Sequence, residues 1–271
     1  MKTFKLFVHF HKKFLFNFGC EWTQATAYEK NLDLGGKYVC VSDFTPEIST
    51  ILNVGASRDA AYVGYLAQTL ATDYWVLNHV NGLDYVGVTG YRRYPIFDYQ
   101  SHAIPVPYAY ARATDEALAA LTSGVDQQLI RDVLATHDAI LPKKLAFDRS
   151  VKAQYLQTQD AGIWNAFIDG LSQLAPEYSS KLSWFDDARA FNAFGPMGLT
   201  PLGAYKEYAD LYFRIVAFIV RNVPNCFAVR DERARYRTDR WVGFLAERFY
   251  PFFIFANAMS TFEVNTVELF E

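Results

Sequence analysis

Short apolar runs alternate along the chain with longer stretches of helical periodicity. Phe4–Phe10 is apolar and rich in aromatic rings, which predicts a buried β-strand. Between Tyr62 and Leu77, apolar residues recur at spacings of three, four and seven, which predicts a helix. An Asn-Gly pair at 81–82 is a turn signal that ends this helix, and Leu83–Thr89 predicts another strand.

The same alternation continues to residue 267. We expect further strands at Lys37–Ser42, Ala139–Pro142, Cys226–Arg230 and Thr261–Val267. We expect further helices at Val125–Thr136, Val151–Leu174 (in two pieces around Gly162), Leu202–Asn222 and Trp241–Phe249. No linker, repeat or low-complexity tract separates these elements. They predict one α/β domain over residues 1–271, with a mostly parallel central sheet flanked by helices.

The segment Phe191–Thr200 contains Asn192, Gly195, Pro196 and Gly198. Glycines within an extended segment mark a bend or a place where another backbone comes close. We therefore expect a strand here with a bend or with a close approach of another backbone.

Composition and charge narrow the classes of function. The 26 Lys and Arg residues nearly balance 29 Asp and Glu residues, so the basic surface of a nucleic-acid-binding protein is missing. The apolar N-terminal run is broken by His9, His11, Lys12 and Lys13 without a cleavage site, which argues against a signal peptide. The three widely spaced cysteines form neither a disulfide framework nor a zinc pattern. We expect a cytoplasmic protein with reduced cysteines.

The commonest catalytic motifs are missing from the sequence. GxGxxG, the P-loop, GxSxG, HExxH, CxxC and Asp-x-Asp do not occur. His9 and His11 would share one face of a strand, but such a pair is more often structural or a substrate contact than a metal site. We therefore expect a site in the loops at the carboxyl ends of the strands, because parallel sheets bind their ligands there.

The strongest local signal is the run Gly90–Tyr94, which reads Gly-Tyr-Arg-Arg-Tyr. Arg92 and Arg93 directly follow a predicted buried strand. Guanidinium groups bind phosphate bidentately and stay charged, while Tyr91 and Tyr94 can stack on a base or a sugar. The alternative is a solvated charged turn with two packing tyrosines, and position alone weighs the two equally.

Two acids and one amide are further candidates. If 239–248 is helical, Arg240 and Glu247 share one face, and a carboxylate beside arginines suits a general base. Asp160, in a predicted helical stretch, is a second candidate base. The commoner alternatives are a surface ion pair for Glu247 and a helix cap for Asp160. Asn192, followed by small residues, offers an amide to a polar ligand.

Taken together, these segments resemble the bacterial capsular-polysaccharide-synthesis glycosyltransferases. The run from Tyr74 to Tyr94 carries that family's Tyr-Trp helix end, its Asp-Tyr-hydrophobic-Gly strand and its Tyr-Arg-Arg-Tyr motif. Further pieces follow in the family's order over nearly the whole chain: His11-Lys12, Leu141–Lys144, Gln154-Tyr155 with Asp160, Pro176–Tyr178, Phe191-Asn192 and Arg240–Arg248.

The chain also departs from the family pattern. Gly90 stands where the family has a histidine before Tyr-Arg-Arg-Tyr. The usual histidine shortly before the acid is replaced around Thr158, and the family's Asn-Met-Phe-Ile-Met has become Asn192–Met197. These changes point to an altered choice of donor or acceptor, or to lost activity.

The resemblance implies a GT-A-like fold and an inverting glycosyltransferase, with relatives that include galactofuranosyltransferases. The expected halves are a nucleotide-sugar-binding half, 1–145, and an acceptor-binding half, 146–271. The expected donor is a nucleotide-diphosphate sugar, most of all a UDP-sugar. The expected acceptor is a glycan or lipid-linked glycan of a bacterial surface polysaccharide. A lipid-linked acceptor would need only peripheral contact with the inner face of the membrane.

The resemblance also implies roles for single residues. The expected donor contacts are His11, Lys12, Tyr91, Arg92, Arg93, Tyr94 and Arg240. The expected acceptor contact is Asn192, and the general base is Glu247, with Asp160 as second choice. We expect the arginines to replace a divalent metal as the counter-charge of the leaving diphosphate, so that no cofactor is required.

Two alternatives stay open. One is a non-catalytic sugar- or nucleotide-binding protein on a degenerate transferase fold, which Gly90 and the altered Asn192 segment favour. The other is a metal-dependent transferase whose acidic ligands come together only in the fold. Its candidate ligands are Asp84, Asp98 and the Asp186-Asp187 pair.

Overall fold

The computed structural model describes residues 2–10, 23–27, 38–40, 44–55, 60–67, 70–90, 92–95, 108–112, 127–193, 195–228 and 238–270. The predicted donor contacts His11, Lys12 and Tyr91 lie outside these ranges, as does Asp98.

Strands and helices alternate through the described ranges. The strands are β1 (Phe4–Phe10), β2 (Thr23–Ala27), β3 (Tyr38–Cys40), β4 (Tyr85–Gly90), β5 (Arg93–Pro95), β6 (Tyr108–Arg112), β7 (Ala139–Pro142), β8 (Leu145–Ala146), β9 (Ala190–Phe191), β10 (Thr200–Pro201), β11 (Thr261–Val264) and β12 (Thr266–Phe270). The α-helices are α1 (Thr45–Leu52), α2 (Ala60–Ala67), α3 (Leu70–His79), α4 (Gln127–Thr136), α5 (Val151–Leu156), α6 (Ala161–Leu174), α7 (Trp184–Asp187), α8 (Leu202–Asn222) and α9 (Trp241–Ala256). Two 3₁₀ helices span Pro176–Lys181 and Thr238–Arg240.

Several predicted elements are confirmed. The strands Phe4–Phe10 and Ala139–Pro142 and the helix Leu202–Asn222 have the predicted bounds. The stretch predicted as two helical pieces forms α5 and α6. Its break comes before Gly162, because the Asp160 side chain accepts a hydrogen bond from the Ile163 N–H and starts α6 at Ala161.

Other predictions are wrong in type or bounds. The strand predicted from Cys226 is a turn in its described part, where Asn225 has a left-handed φ of 55°. Helix α9 continues past its predicted end at Phe249, although Pro251 lies inside it. The predicted final strand is two strands, β11 and β12, separated at Asn265.

The largest sheet has the strand order β10-β4-β1-β2-β3. β1 pairs in parallel with β2 and β4, and β2 pairs in parallel with β3, whereas β10 runs antiparallel beside β4. In this register His9 lies opposite Gly90, so the carboxyl ends of β1 and β4 are level. Parallel pairing holds along most of this sheet, and the chain as a whole is mixed α/β.

Residues 199–201 join this sheet to the parallel pair β7–β11. The Leu199 N–H donates to the Ile140 carbonyl at 2.7 Å, and the Ile140 N–H donates back at 2.8 Å. This contact is antiparallel, as is the pairing of Thr200 and Pro201 with β4. Because the segment is antiparallel to both neighbours, β4 and β7 run in the same direction. The carboxyl ends of β1, β4 and β7 therefore lie at one edge.

The last strand, β12, is the central strand of a smaller sheet with the order β5-β12-β6. It pairs antiparallel with β5, where Glu268 lies opposite Arg93, and in parallel with β6. Val267 and Leu269 alternate with Glu268 and are buried in a hydrophobic cluster that includes Tyr94. The smaller sheet thus places β12 beside the turn that follows β4.

Aromatic side chains fill the space between the helices. Helix α8 presents Tyr205, Tyr208 and Tyr212 at helical spacing, all buried. The Tyr208 ring packs on Phe249 and Tyr250 of α9, with ring centroids 5.5 and 5.0 Å apart. The high aromatic content therefore serves the core to a large extent. No helix within the described ranges is long and apolar enough to cross a membrane.

Two glycines permit a close approach of three backbone segments. A Cβ on Gly87 of β4 would lie 1.7 Å from the Gly198 carbonyl oxygen. A Cβ on Gly198 would lie 2.1 Å from the Ile140 carbonyl oxygen, and the φ of Gly198 is +119°. Only glycine tolerates both conditions. The close backbone approach predicted for Phe191–Thr200 is confirmed.

We expect Gly198→Ala to destabilise the protein strongly or to prevent its soluble expression. The added methyl group would displace the β7 backbone and force an unfavourable φ. Gly203→Ala is a matched control in the first turn of α8, because a Cβ there meets nothing within 4 Å. Thermal unfolding of both variants tests this, and equal midpoints would contradict the role of Gly198.

A carboxyl group lies inside the aromatic core. Asp73 of α3 is fully buried, and its Oδ1 accepts a hydrogen bond from the Tyr205 hydroxyl. Burial raises the pKa of Asp73 from 3.8 to about 7, although the Tyr205 hydrogen bond opposes the shift. Between these two pKa values the folded protein binds this proton more tightly than the unfolded chain does. The stability that the protonated carboxyl contributes is therefore lost as the pH rises from about 4 to 7.

We expect Asp73→Asn to raise the thermal midpoint at pH 8 and to change it much less at pH 4.5. The amide can still accept the Tyr205 hydrogen bond, but it does not ionise. Thermal unfolding at pH 4.5, 6 and 8 measures the effect. Asp210→Asn, at an exposed pair with Arg214 on α8, serves as the control. A gap between variant and wild type that stays constant with pH would contradict this assignment.

Candidate functional site

The turn after β4 carries two arginines at the carboxyl edge of the sheet. Both guanidinium groups pair with the carboxylate of Glu268 on β12: Arg93 Nε lies 2.9 Å from Oε2, and Arg92 Nη2 lies 3.5 Å from Oε1. The arginine side chains are 35% and 45% exposed, whereas that of Glu268 is 11% exposed. A buried carboxylate thus supports two partly exposed cations.

The backbone of this turn is fixed by its neighbours. The Leu269 N–H donates to the Arg92 carbonyl at 2.7 Å, and the Thr89 hydroxyl donates to the Arg93 carbonyl. Strands β4 and β12 therefore hold the arginine backbone from both sides. Side chains on such rigid elements present their charges in a narrow range of geometries.

Two cationic side chains thus lie together at this edge. Arg92 and Arg93 are both partly exposed, and a guanidinium has five N–H donors with which it can bind an anion. The group lies where α/β sheets bind their ligands, and its chemistry suits an anion such as a phosphate or diphosphate.

The Tyr94 ring is not accessible to a donor, which stacking on a base or a sugar would require. Its side chain is fully buried, in the hydrophobic cluster that includes Val267 and Leu269. The predicted stacking role of Tyr94 is corrected to a packing role, because strand β5 turns this ring into the core.

A second polar group surrounds a buried arginine on α9. The Arg248 side chain is 4% exposed, and its Nη1 donates to the Phe244 carbonyl and to Glu247 Oε2, each at 2.8 Å. Its Nη2 donates to Gln154 Oε1 on α5. These bonds give the buried charge an opposite charge and two neutral acceptors, as a buried guanidinium requires.

Aromatic rings complete the surroundings of this guanidinium. The ring centroids of Phe244, Phe191 and Tyr155 lie 5.6, 5.7 and 5.9 Å from Arg248 Cζ. Three motifs that are far apart in the sequence therefore meet at one side chain. We name this group the Arg248 cluster; it comprises Gln154, Tyr155, Phe191, Phe244, Glu247 and Arg248.

The two candidate bases have different surroundings. The Glu247 side chain is 29% exposed and forms an ion pair with Arg248, so its carboxylate lies at the accessible side of the Arg248 cluster. Asp160 caps helix α6, its Oδ1 accepting from the Ile163 N–H at 3.0 Å, which confirms the helix-cap alternative. Burial raises the pKa of Tyr155; the positive charge of Arg248 opposes this and the charge of Asp160 adds to it.

Asn192 lies at the same edge as the carboxyl end of β7. It is 5% exposed, and its Nδ2 donates to the Pro142 carbonyl at the end of that strand. Its neighbour Phe191 belongs to the Arg248 cluster. Asn192, the predicted acceptor contact, thus lies beside the Arg248 cluster, which contains the candidate base Glu247. The amide N–H₂ group of Asn192, however, donates to a backbone carbonyl.

The remaining candidates lie elsewhere. Arg240 is exposed at the end of the 3₁₀ helix before α9, seven residues from Glu247. Asp84 Oδ2 accepts from the Thr3 N–H at 2.7 Å, at the amino end of β4 and therefore far along the strand from Arg92. Asp186 pairs with Lys152 at 3.0 Å. Throughout the part of the chain that the structure describes, no three His, Cys, Asp or Glu residues come together as a metal site.

The family of the chain is shown by its sequence. A family model described as "Domain of unknown function (DUF4422)" matches residues 68–258, which is well over half of the chain. The chain belongs to this family. Arg92, Arg93, Asn192 and the whole Arg248 cluster of this DUF4422 protein lie within the matched residues, whereas Glu268 lies beyond them. No curated protein matches the chain.

The fold of the DUF4422 protein is similar to a solved glycosyltransferase structure. The match is the apo structure of WbbM, a bifunctional glycosyltransferase, with a TM-score of 0.74 and 17% sequence identity. It covers 100% of this chain and 46% of that one, so the chain spans about half the length of the protein it matches. The likeness concerns the fold, and it agrees with the glycosyltransferase-like fold expected from the sequence.

Sequence reasoning missed two residues of these groups. Glu268 is an acid in a strand whose neighbours Val267 and Leu269 are apolar, which is the pattern of a half-buried strand with one polar face. Arg248 ends the Arg240–Arg248 motif, but no local sequence pattern shows that its side chain would be buried. Gln159 adds a further polar side chain near Tyr155; it is 7% exposed, and neither atom of its amide has a partner in the structure.

Proposed function

We propose that the protein is a glycosyltransferase that moves a sugar from a nucleotide-diphosphate donor to a glycan or lipid-linked glycan acceptor. The observation that carries this proposal is the arginine pair at the carboxyl edge of a largely parallel sheet, in a fold similar to that of a glycosyltransferase. A diphosphate suits two adjacent guanidinium groups, because it carries more than one negative charge and each phosphoryl group has oxygens that accept bidentate hydrogen bonds.

The proposed donor site lies in the half 1–145 of a GT-A-like domain. Arg92 and Arg93 would bind the diphosphate, with His11, Lys12, Tyr91 and Arg240 as further proposed contacts. Support for Arg92 and Arg93 comes from the positive charge of each side chain and from their partial exposure. We propose a UDP-sugar as donor, because the sequence resembles a family with galactofuranosyltransferases among its members.

The proposed acceptor site lies in the half 146–271, where Asn192 and the Arg248 cluster come together. Glu247 would act as general base, and the ion pair with Arg248 would hold its carboxylate in place. We propose a surface-polysaccharide glycan as the acceptor, with peripheral membrane contact if that glycan is lipid-linked. Asp160 is the second choice of base, since its cap leaves it half-buried near Tyr155.

The proposed reaction inverts the anomeric carbon in one displacement. The acceptor oxygen forms a bond to that carbon while the bond from the carbon to the diphosphate oxygen breaks. The hydroxyl proton passes to the Glu247 carboxylate, and the electron pair of the broken bond leaves with the diphosphate. Arg92 and Arg93 would stabilise the charge that develops on this leaving group. No step requires a metal ion.

We expect Glu247→Gln to lower turnover by about a hundredfold or more, as for loss of a general base. Donor binding should change little, because the variant keeps the shape of the side chain. Asp160→Asn is the matched comparison, since asparagine caps a helix about as well as aspartate and removes only the charge. Steady-state rates and UDP affinity of both variants decide between them. Loss of turnover in Asp160→Asn alone would make Asp160 the base.

The function itself is tested by a scan of UDP- and GDP-sugars for nucleotide release, with and without an acceptor glycan. We expect UDP release from at least one donor, and we expect it to persist in EDTA. Activity only with Mn²⁺ or Mg²⁺ would contradict the metal-independent mechanism. Nucleotide binding without release from any donor would favour the non-catalytic binding protein, the candidate that the Gly90 departure supports.

A further inference from the structure

We propose that Glu268 is the positioning residue of the donor site: it orients Arg92 and Arg93 so that their guanidinium groups bind a diphosphate together. The proposal rests on the proposed function, and it assigns a role to a residue that lies outside the family match. Glu268 would not touch the donor in this role, because it acts through the two arginines.

The geometry of the carboxylate supports an orienting role. Each of its oxygens pairs with a different arginine, Oε2 with Arg93 Nε at 2.9 Å and Oε1 with Arg92 Nη2 at 3.5 Å. The Arg93 contact is a hydrogen bond from Nε, and because the guanidinium is planar it restricts the directions of the remaining N–H groups. The carboxylate thus directs the Arg93 guanidinium and holds the Arg92 charge beside it.

The strand that carries Glu268 is rigidly placed. Glu268 lies directly opposite Arg93 in the antiparallel pairing of β12 with β5. Val267 and Leu269, its neighbours on the strand, are 2% and 0% exposed in a cluster with Tyr94. The Leu269 N–H also bonds the Arg92 carbonyl. Backbone and core therefore both hold the carboxylate in register with the arginines.

The burial of Glu268 also argues for a role beyond a surface ion pair. The Glu268 side chain is 11% exposed. By contrast, Glu263 on the preceding strand is 30% exposed, and its partner Lys144 is 53% exposed. An exposed pair of the second kind contributes little to structure or binding. A buried acid with two cationic partners instead restricts the rotamers of both, which lowers the entropy lost when they bind a ligand.

The direction in which the affinity for UDP changes in Glu268→Gln distinguishes a positioning role from a purely electrostatic one. Glu268→Gln removes one negative charge beside the two arginines, so charge alone predicts tighter binding of an anion. Loss of orientation predicts weaker binding. We expect Glu268→Gln to weaken UDP binding about tenfold or more, as for the loss of hydrogen bonds between charged groups. Isothermal titration calorimetry with UDP on the full chain measures this.

Two further variants make the assignment specific. Glu263→Gln is the matched control, an acid-to-amide change on the preceding strand β11, which belongs to a different sheet, and it should leave UDP affinity unchanged. In an Arg93→Ala background, Glu268→Gln should have a much smaller effect than in the wild type, because the residue through which it acts is gone. Full additivity of the two changes would overturn a role exercised through Arg93.

The outcomes distinguish this proposal from the proposed function. If the wild type binds neither UDP nor GDP, both fail. If the wild type binds UDP and Glu268→Gln binds it equally well or more tightly, the positioning role alone is overturned. Should Glu268→Gln not fold, Glu268→Asp keeps the charge and shortens the side chain by one methylene group. Wild-type UDP affinity in that variant would also overturn the role.

Discussion

The architecture depends on a contact in which no side chain takes part: the close approach of the Gly198 backbone to β4 on one side and β7 on the other. The added atoms of any other residue would overlap the carbonyl oxygen of Ile140, and a side chain at Gly87 would overlap that of Gly198. Hydrogen bonds between Leu199 and Ile140 close the gap. Two groups of parallel strands thereby become neighbours with a common direction.

This contact also decides what lies at the carboxyl edge. β4 and β7 run in the same direction, so their carboxyl ends lie at one edge. This edge holds both the turn with the two arginines and the end of β7, to which Asn192 is hydrogen-bonded. The segment that begins at Phe191 supplies a ring to the Arg248 cluster before it reaches Gly198. One irregular stretch of about ten residues therefore links the sheet to both groups of candidate residues.

Elements that are determined by a local hydrophobic pattern were predictable from the sequence. Helix α8 has a long 3.6-residue period, and β1 and β7 are compact apolar runs, so their bounds follow from pattern alone. Strands β5 and β6 are short and acquire their pairing only from β12, which is remote in sequence. Helix α1 was missed although Pro46 stands in its first turn, a known start signal.

The same distinction applies to the candidate site. The arginine pair was predictable because its signal is contiguous and follows a strand directly. The burial of Tyr94, the cap at Asp160 and the ring cage of Arg248 depend on contacts between distant segments, which no single-sequence pattern encodes. Glu268 is the extreme case, since 175 residues separate it from Arg93.

The long sequence separation between Arg93 and Glu268 affects the order in which contacts form during synthesis and folding. During synthesis the two arginines leave the ribosome long before their carboxylate partner, and β5 and β6 emerge without the strand that pairs them. Contacts of such high sequence separation form late and slowly. Until β12 has been synthesised, Arg92 and Arg93 lack Glu268 as a partner, and β5 and β6 lack the strand with which they pair. The local arrangement of the two arginines therefore depends on a contact that can form only after synthesis has passed residue 268.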